Sequence, residues 1–132
     1  MNHHLDRRHT YISKILSTYR ALLTIDHTVL RELLPSTRKF IIVDEVSTIV
    51  RGLPTSIRFC IEASSRGLCI VEYRNVKYIN PTELDNLITE IYGKLPTAVL
   101  RKKSRRLWTL LKRALKELGG VESQISMYPI ES

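Results

Sequence analysis

Along the first part of the chain, apolar residues recur at the spacing of one helical face. Between Leu5 and Leu23, the residues Ile12, Ile15, Leu16, Tyr19, Leu22 and Leu23 fall on one side of a helical wheel, which predicts a helix turned toward a core. Asp26 is placed to cap a shorter helix carrying Val29, Leu30, Leu33 and Leu34, closed by Pro35 and Ser36. The period then changes. Phe40-Ile41-Ile42-Val43 is a β-branched run, Thr48-Ile49-Val50 either continues that strand or pairs with it, and Gly52 with Pro54 marks a turn.

The strongest strand pattern follows, where Ile57, Phe59, Ile61 and Ala63 alternate with Ser56, Arg58, Cys60 and Glu62. Ser64-Ser65-Arg66-Gly67 turns the chain back into a return strand from Leu68 to about Arg74. A short hairpin register sets Ala63 opposite Leu68, Ile61 opposite Ile70, Cys60 opposite Val71 and Arg58 opposite Tyr73. One face is then aliphatic, and the other carries Arg58, Cys60, Glu62, Cys69, Val71 and Tyr73. In that register the two cysteines lie diagonally, too far apart for a relaxed disulfide, and they read as reduced core thiols. Asn80-Pro81-Thr82-Glu83 starts a further helix through Leu84, Leu87, Ile88 and Ile91 to Gly93. Pro96 opens the last helix, 96–118, which Gly119-Gly120 ends. The predicted layout is α+β: two N-terminal helices, a three- to four-stranded antiparallel sheet and two C-terminal helices. It reads as a single domain over residues 1–120 followed by a polar tail, 121–132.

Charge adds a strong asymmetry to this plan. The 132 residues carry 21 Lys and Arg against 13 Asp and Glu, a net charge of +8. From Lys94 to Leu118 nine basic residues stand against one acid, Glu117, whereas 41–93 is net acidic. On the helical wheel Leu100, Leu107, Trp108, Leu110, Leu111, Ala114, Leu115 and Leu118 share one half. Arg101, Lys102, Arg105, Arg106, Lys112, Arg113 and Lys116 share an arc of about 140° on the other, with no acid among them. A single-sign face destabilises its own helix through like-charge neighbours, and it suits a polyanion whose counterions it can displace. Nucleic acid, as single-stranded DNA or RNA, is therefore the expected partner. A membrane is not expected: no apolar run nears the roughly 18 residues that cross one, and the opening residues lack a signal-peptide pattern, which suits a cytoplasmic protein.

Other chemistry is sparse. Arg58, Arg74 and Lys77, with Tyr73 and Tyr78 as rings, would give the mixed sheet face the parts of a single-strand platform. Leu100, Ser104, Leu107, Leu111, Ala114 and Leu118 follow coiled-coil spacing, so Leu100, Leu107, Leu111 and Leu118 would either zip two copies into a homodimer or pack on the same chain. Glu62 followed by Glu72-Tyr73-Arg74 resembles the acid spacing of PD-(D/E)XK nucleases, which hold Mg²⁺. Arg74 stands where a Lys is needed, however, and the two acids face opposite sides of the sheet. Asp44-Glu45 reads as a solvated pair at a strand end. His3, His4 and His9 lack partners at zinc spacing, and no phosphate loop or nucleophile elbow occurs. No metal, cofactor or catalytic residue is expected; the remaining alternative is a non-catalytic subunit whose basic helix docks on an acidic protein.

With its helices, its sheet centred on Ser56-Ile-Arg-Phe-Cys-Ile-Glu-Ala-Ser-Ser-Arg-Gly-Leu-Cys-Ile-Val-Glu-Tyr-Arg74, and its terminal basic helix with leucine spacing, the chain resembles in layout the small archaeal single-stranded DNA-binding proteins called ThermoDBP. The resemblance implies a basic, partly apolar cleft in the sheet domain that takes the strand, and a terminal helix that makes dimers.

Overall fold

The computed structural model describes residues 3–119, with side chains from Arg7 onward; the expected polar tail, 121–132, lies outside the described residues. Two helices, α1 (His3–Leu22) and α2 (His27–Leu33), precede a four-stranded antiparallel meander in the order β1 (Phe40–Val50), β2 (Leu53–Glu62), β3 (Leu68–Glu72) and β4 (Asn75–Tyr78). A 3₁₀ turn, Pro81–Glu83, then leads into α3 (Leu84–Tyr92) and α4 (Thr97–Glu117). This is the α+β layout that the periodicity predicts.

The elements begin and end for local reasons. Asp26 accepts from the Thr28 N–H at 2.9 Å and so satisfies an otherwise orphaned donor at the start of α2. Asn80 does the same for Thr82. Gly93 closes α3 where a Cβ would lie 2.4 Å from the Thr89 carbonyl oxygen, so no other residue fits there unchanged. Arg8 of α1 donates to the carbonyls of Gly93 and Leu95 and to the Thr97 hydroxyl, fastening the α3–α4 connection to the first helix.

One hydrophobic cluster joins the inner face of the sheet to the helices. Ile41, Val46, Ile57, Phe59, Ile61 and Leu68 meet Ile15, Tyr19, Leu22, Ile88, Leu100, Leu107 and Leu111 there. Each such aliphatic side chain contributes about 1.5–3 kcal/mol by leaving water. At its centre the rings of Tyr19, Phe59 and Tyr92 pack with centroids 5.2–6.1 Å apart.

The sheet corrects two expectations and decides a choice that the pattern leaves open. The β2–β3 register is shifted by two: Ile61 faces Leu68, Cys60 faces Cys69, and Arg58 faces Val71 instead of Tyr73. An even shift keeps every residue on its expected face while changing every partner. The cysteines are therefore directly opposed, with Cα atoms 5.0 Å apart, and form a disulfide. Second, Thr48-Ile49-Val50 continues β1 as one strand, with a bulge between Ile42 and Asp44. Third, that bulge turns Asp44 inward: it is 5% exposed, where a solvated acid was expected.

The leucine seam is also resolved. Leu100, Leu107 and Leu111 are at most 1% exposed and Leu118 is half-buried, all packed within their own chain against the α1 side of the core. A second copy therefore cannot reach Leu100, Leu107 or Leu111 without unpacking the monomer, and of the four only Leu118 keeps partial exposure. Trp108, on the apolar half of the wheel, is half-buried, with the Lys14 ammonium 4.9 Å from its ring centre.

Candidate nucleic-acid interface

α4 is long and amphipathic, and what it buries decides what it presents. With Leu100, Ser104, Leu107, Leu110, Leu111 and Ala114 turned inward, Arg101, Lys102, Arg105, Lys112, Arg113 and Lys116 are left exposed. α2 packs beside α4, and between them runs an open groove of about 400 Å³. Its walls carry Lys102, Arg105, Arg106 and Arg113, successive residues of one helical stripe. Leu33, Leu34 and Leu110 supply apolar lining, with Thr109 between, and no acid lines it.

A second groove, of about 510 Å³, follows the β1 edge from Leu34 and Pro35 past Ile42, Val43, Asp44 and Glu45 to Arg58. Leu34 and Arg106 line both. The two recesses therefore adjoin, and together they reach from the α2–α4 crevice to the outer face of the sheet.

Arg106 stands at the junction because of Asp44. The Asp44 carboxylate accepts from Lys103 Nζ at 3.1 and 3.3 Å, from the Tyr92 hydroxyl at 2.8 Å, and from Arg106. Tyr92 spends its one proton on Asp44, so the Tyr19 hydroxyl, 2.6 Å away, donates to the Tyr92 oxygen. Burial pushes both tyrosine hydroxyls well above their ordinary pKa, which keeps the chain of donors intact. Lys103 also donates to the Glu45 carbonyl at 2.7 Å. One buried anion thus faces two cations, and Arg106, whose side chain is 49% exposed, keeps an outward-facing part.

The remaining expected site residues do not form one platform. Arg58 is on the outer face but pairs with Glu45 at 3.4 Å, and Glu45 itself is held below its ordinary pKa chiefly by the Ser56 hydroxyl. Tyr73 and Arg74 form the two-residue β3–β4 turn, both in the left-handed region with φ of 49° and 72°. Tyr73 is 64% exposed and its hydroxyl lies 3.2 Å from that of Thr55. It is therefore at the sheet's end and not beside Arg58. Lys77 is opposite Ile70, on the other side of the sheet from Arg58. The outer face instead presents Val76 and Tyr78, with Val71 and Ile42 half-buried.

The paired acids are likewise separated. Glu62, opposite Phe40, lies on the outer face and is bonded to Ser64, whereas Glu72, opposite Ile57, lies on the inner one. Among the described residues no group of three or more His, Cys, Asp or Glu side chains could hold a metal ion. No described helix is long and apolar enough to cross a membrane.

Two parts of this site escape a reading by charge alone. Lys103 falls on the apolar side of the wheel, a lone cation whose position signals a buried counter-charge, and Asp44 in mid-strand is the complement. Leu33 and Leu34 read as core, yet they are half-buried walls of the groove. Comparison of the chain with protein-family models, with curated proteins and with solved structures finds no match.

Proposed function

We propose that the protein binds single-stranded nucleic acid, with DNA as the preferred form, along the paired grooves between α2, α4 and the β1 edge. One observation carries this reading: four cations, Lys102, Arg105, Arg106 and Arg113, line a recess that has an apolar lining and no acid. Backbone phosphates would lie along the cations, displacing counterions, while bases rest against Leu33, Leu34 and Leu110. No ring lines this groove, so affinity would be mainly electrostatic and tolerant of sequence. Arg106 and Arg58 would guide the strand onward toward the outer sheet face, where Tyr78 offers a ring. The ThermoDBP layout points to the same ligand but to a dimer through the terminal helix, and the buried leucines favour a monomer that binds alone.

The test is a mobility-shift and anisotropy panel with single-stranded DNA, duplex DNA and RNA, with and without Mg²⁺. Tightest binding to the single strand, without cleavage, supports the reading. Mg²⁺-dependent cleavage would replace it with a nuclease, and no binding to any of the three would leave an acidic protein as the partner.

A further inference from the structure

Elsewhere along α2, at His27 and Arg31, the chain builds a second cationic recess that the reading above does not use. His27 and Arg31 are four residues apart and share one face of α2. Pro35 ends the helix, and the segment after it pairs with the start of β1, Ser36 bridging Ile41 and the Ile42 N–H donating to the Pro35 carbonyl at 2.8 Å. That reversal returns Arg38 and Lys39 to Arg31, whose Nη2 donates to the Arg38 carbonyl at 2.6 Å. The end of β2 closes the recess, the Ala63 N–H donating to the Lys39 carbonyl at 3.0 Å. His27, Arg31, Arg38, Lys39, Ala63 and Ser64 line a space of about 500 Å³.

Two polar atoms here are buried and unpartnered: His27 Nδ1 and Arg31 Nε. Leaving such groups unsatisfied is costly, so a bound group that draws these side chains into new hydrogen bonds would be favoured. The charges say which kind. Two carboxylates lie near, Glu62 beside Lys39 and Asp26 beside His27 and Arg66; one oxygen of Asp26 is held by Thr28 and one of Glu62 by Ser64. Counting Arg31, Arg38, Lys39 and Arg66 against those two acids leaves an excess of two positive charges, about that of a phosphate monoester near neutral pH. Arg31 is steadied by its bond to the Arg38 carbonyl, and its planar guanidinium suits a tetrahedral anion.

We propose that this recess is a phosphate-monoester site, taking either free phosphate or the terminal phosphate of a nucleic-acid strand. It goes beyond the proposed strand groove and stands without it, since a free phosphate would bind even if α4 takes no nucleic acid. The anion's oxygens accept from Arg31 and His27, and Arg38 and Lys39 neutralise its charge.

The test is an NMR titration of the isotope-labelled full chain with inorganic phosphate, the ionic strength held constant with chloride. Saturable shifts confined to residues 27, 31, 38, 39, 63 and 64 are expected. Arg31→Met should weaken the binding by about ten-fold or more, as loss of a charged hydrogen bond implies. Because Arg31 also touches the fold, Arg38→Ala is the second variant: that side chain is exposed, and only its carbonyl holds Arg31. Absence of shifts, shifts spread equally over the α4 arc, or wild-type affinity in both variants would overturn the site. Oligothymidylates with and without a 5′-phosphate distinguish the two sources: a preference that Arg31→Met abolishes assigns the strand end, and equal binding assigns free phosphate. Replacing Lys102, Arg105 and Arg113 by Ala should leave the phosphate titration intact, so failure of the strand groove and failure of this recess are separable.

Discussion

Removing Lys102, Arg105 and Arg113 together tests whether the α2–α4 groove, and not charge in general, holds a strand. The three line the groove with Arg106, whose guanidinium is already engaged by Asp44. On single strands each phosphate contact contributes about 0.7 to the slope of log K against log salt, so four contacts give about −2.8 and the triple alanine variant about −0.7. Between 50 and 200 mM salt the wild type should then lose roughly 50-fold in affinity and the variant roughly 3-fold. Alanine keeps the helix, so the fold is not the variable. The control removes the same charge elsewhere on α4: Arg101, Lys112 and Lys116 are exposed but line neither groove. Fluorescence anisotropy of a labelled oligothymidylate across a salt series reads both slopes. Equal flattening by the two triples would refute the groove and leave only a diffuse positive surface; an unchanged slope in the first would remove α4 from the interface.

Asp44→Asn should cost about 2–4 kcal/mol in urea unfolding, the lower end reflecting the half-exposed Arg106; a loss under about 1 kcal/mol would show that water already compensates Lys103 and Arg106. Reducing the Cys60–Cys69 bridge, which closes a loop of sequence separation 9, should lower stability by about 2–3 kcal/mol, and a Cys60→Ala, Cys69→Ala protein should then be indifferent to reductant. The Asp26 carboxyl is pulled below its ordinary 3.8 first by the Thr28 N–H and then by the Thr28 hydroxyl, so it binds fewer protons folded than unfolded. Its contribution is full above the ordinary value and is lost as pH falls through the lowered one. Asp26→Asn should flatten that part of the acid limb in a melting-temperature series, and an identical limb in both proteins would contradict the cap's role.

Helices were the most legible part of the sequence because their signal is redundant. The face of α1 is repeated over several turns, and the boundaries of α2 and α3 are marked by Asp26, Asn80 and Gly93. The sheet was legible in which residues face the core and illegible in which residues meet. Alternation has period two, so the two-residue shift that pairs Cys60 with Cys69 leaves no trace in it. That shift arises where Ala63 leaves the ladder to bond the Lys39 carbonyl while Glu62 pairs with Gly67, a long-range choice that the turn residues do not encode. Asp44 reads as solvated for a related reason: a single bulged residue reverses the faces beyond it, and nothing in Ile42-Val43-Asp44 announces the bulge. The basic arc was read correctly as an exposed stripe, but its organisation into a groove depends on α2 lying alongside, which one helix's pattern does not contain.

The meander and its lid mature on different clocks. Each strand of the sheet pairs with its neighbour in sequence, across turns of a few residues, and hairpins of that kind close in about 1–10 μs. The core they feed closes only with α4, the last described element, which packs on α1 and brings Lys103 and Arg106 to Asp44. At ribosomal speed those 21 residues take roughly 1–4 s to appear. For that interval the nascent chain carries a sheet and a core that lack one helix, with Leu100, Leu107 and Leu111 not yet in place and an acid without its cations. A message truncated before Thr97 would make that condition permanent, and its product should be cleared or aggregate instead of persisting as a smaller functional protein.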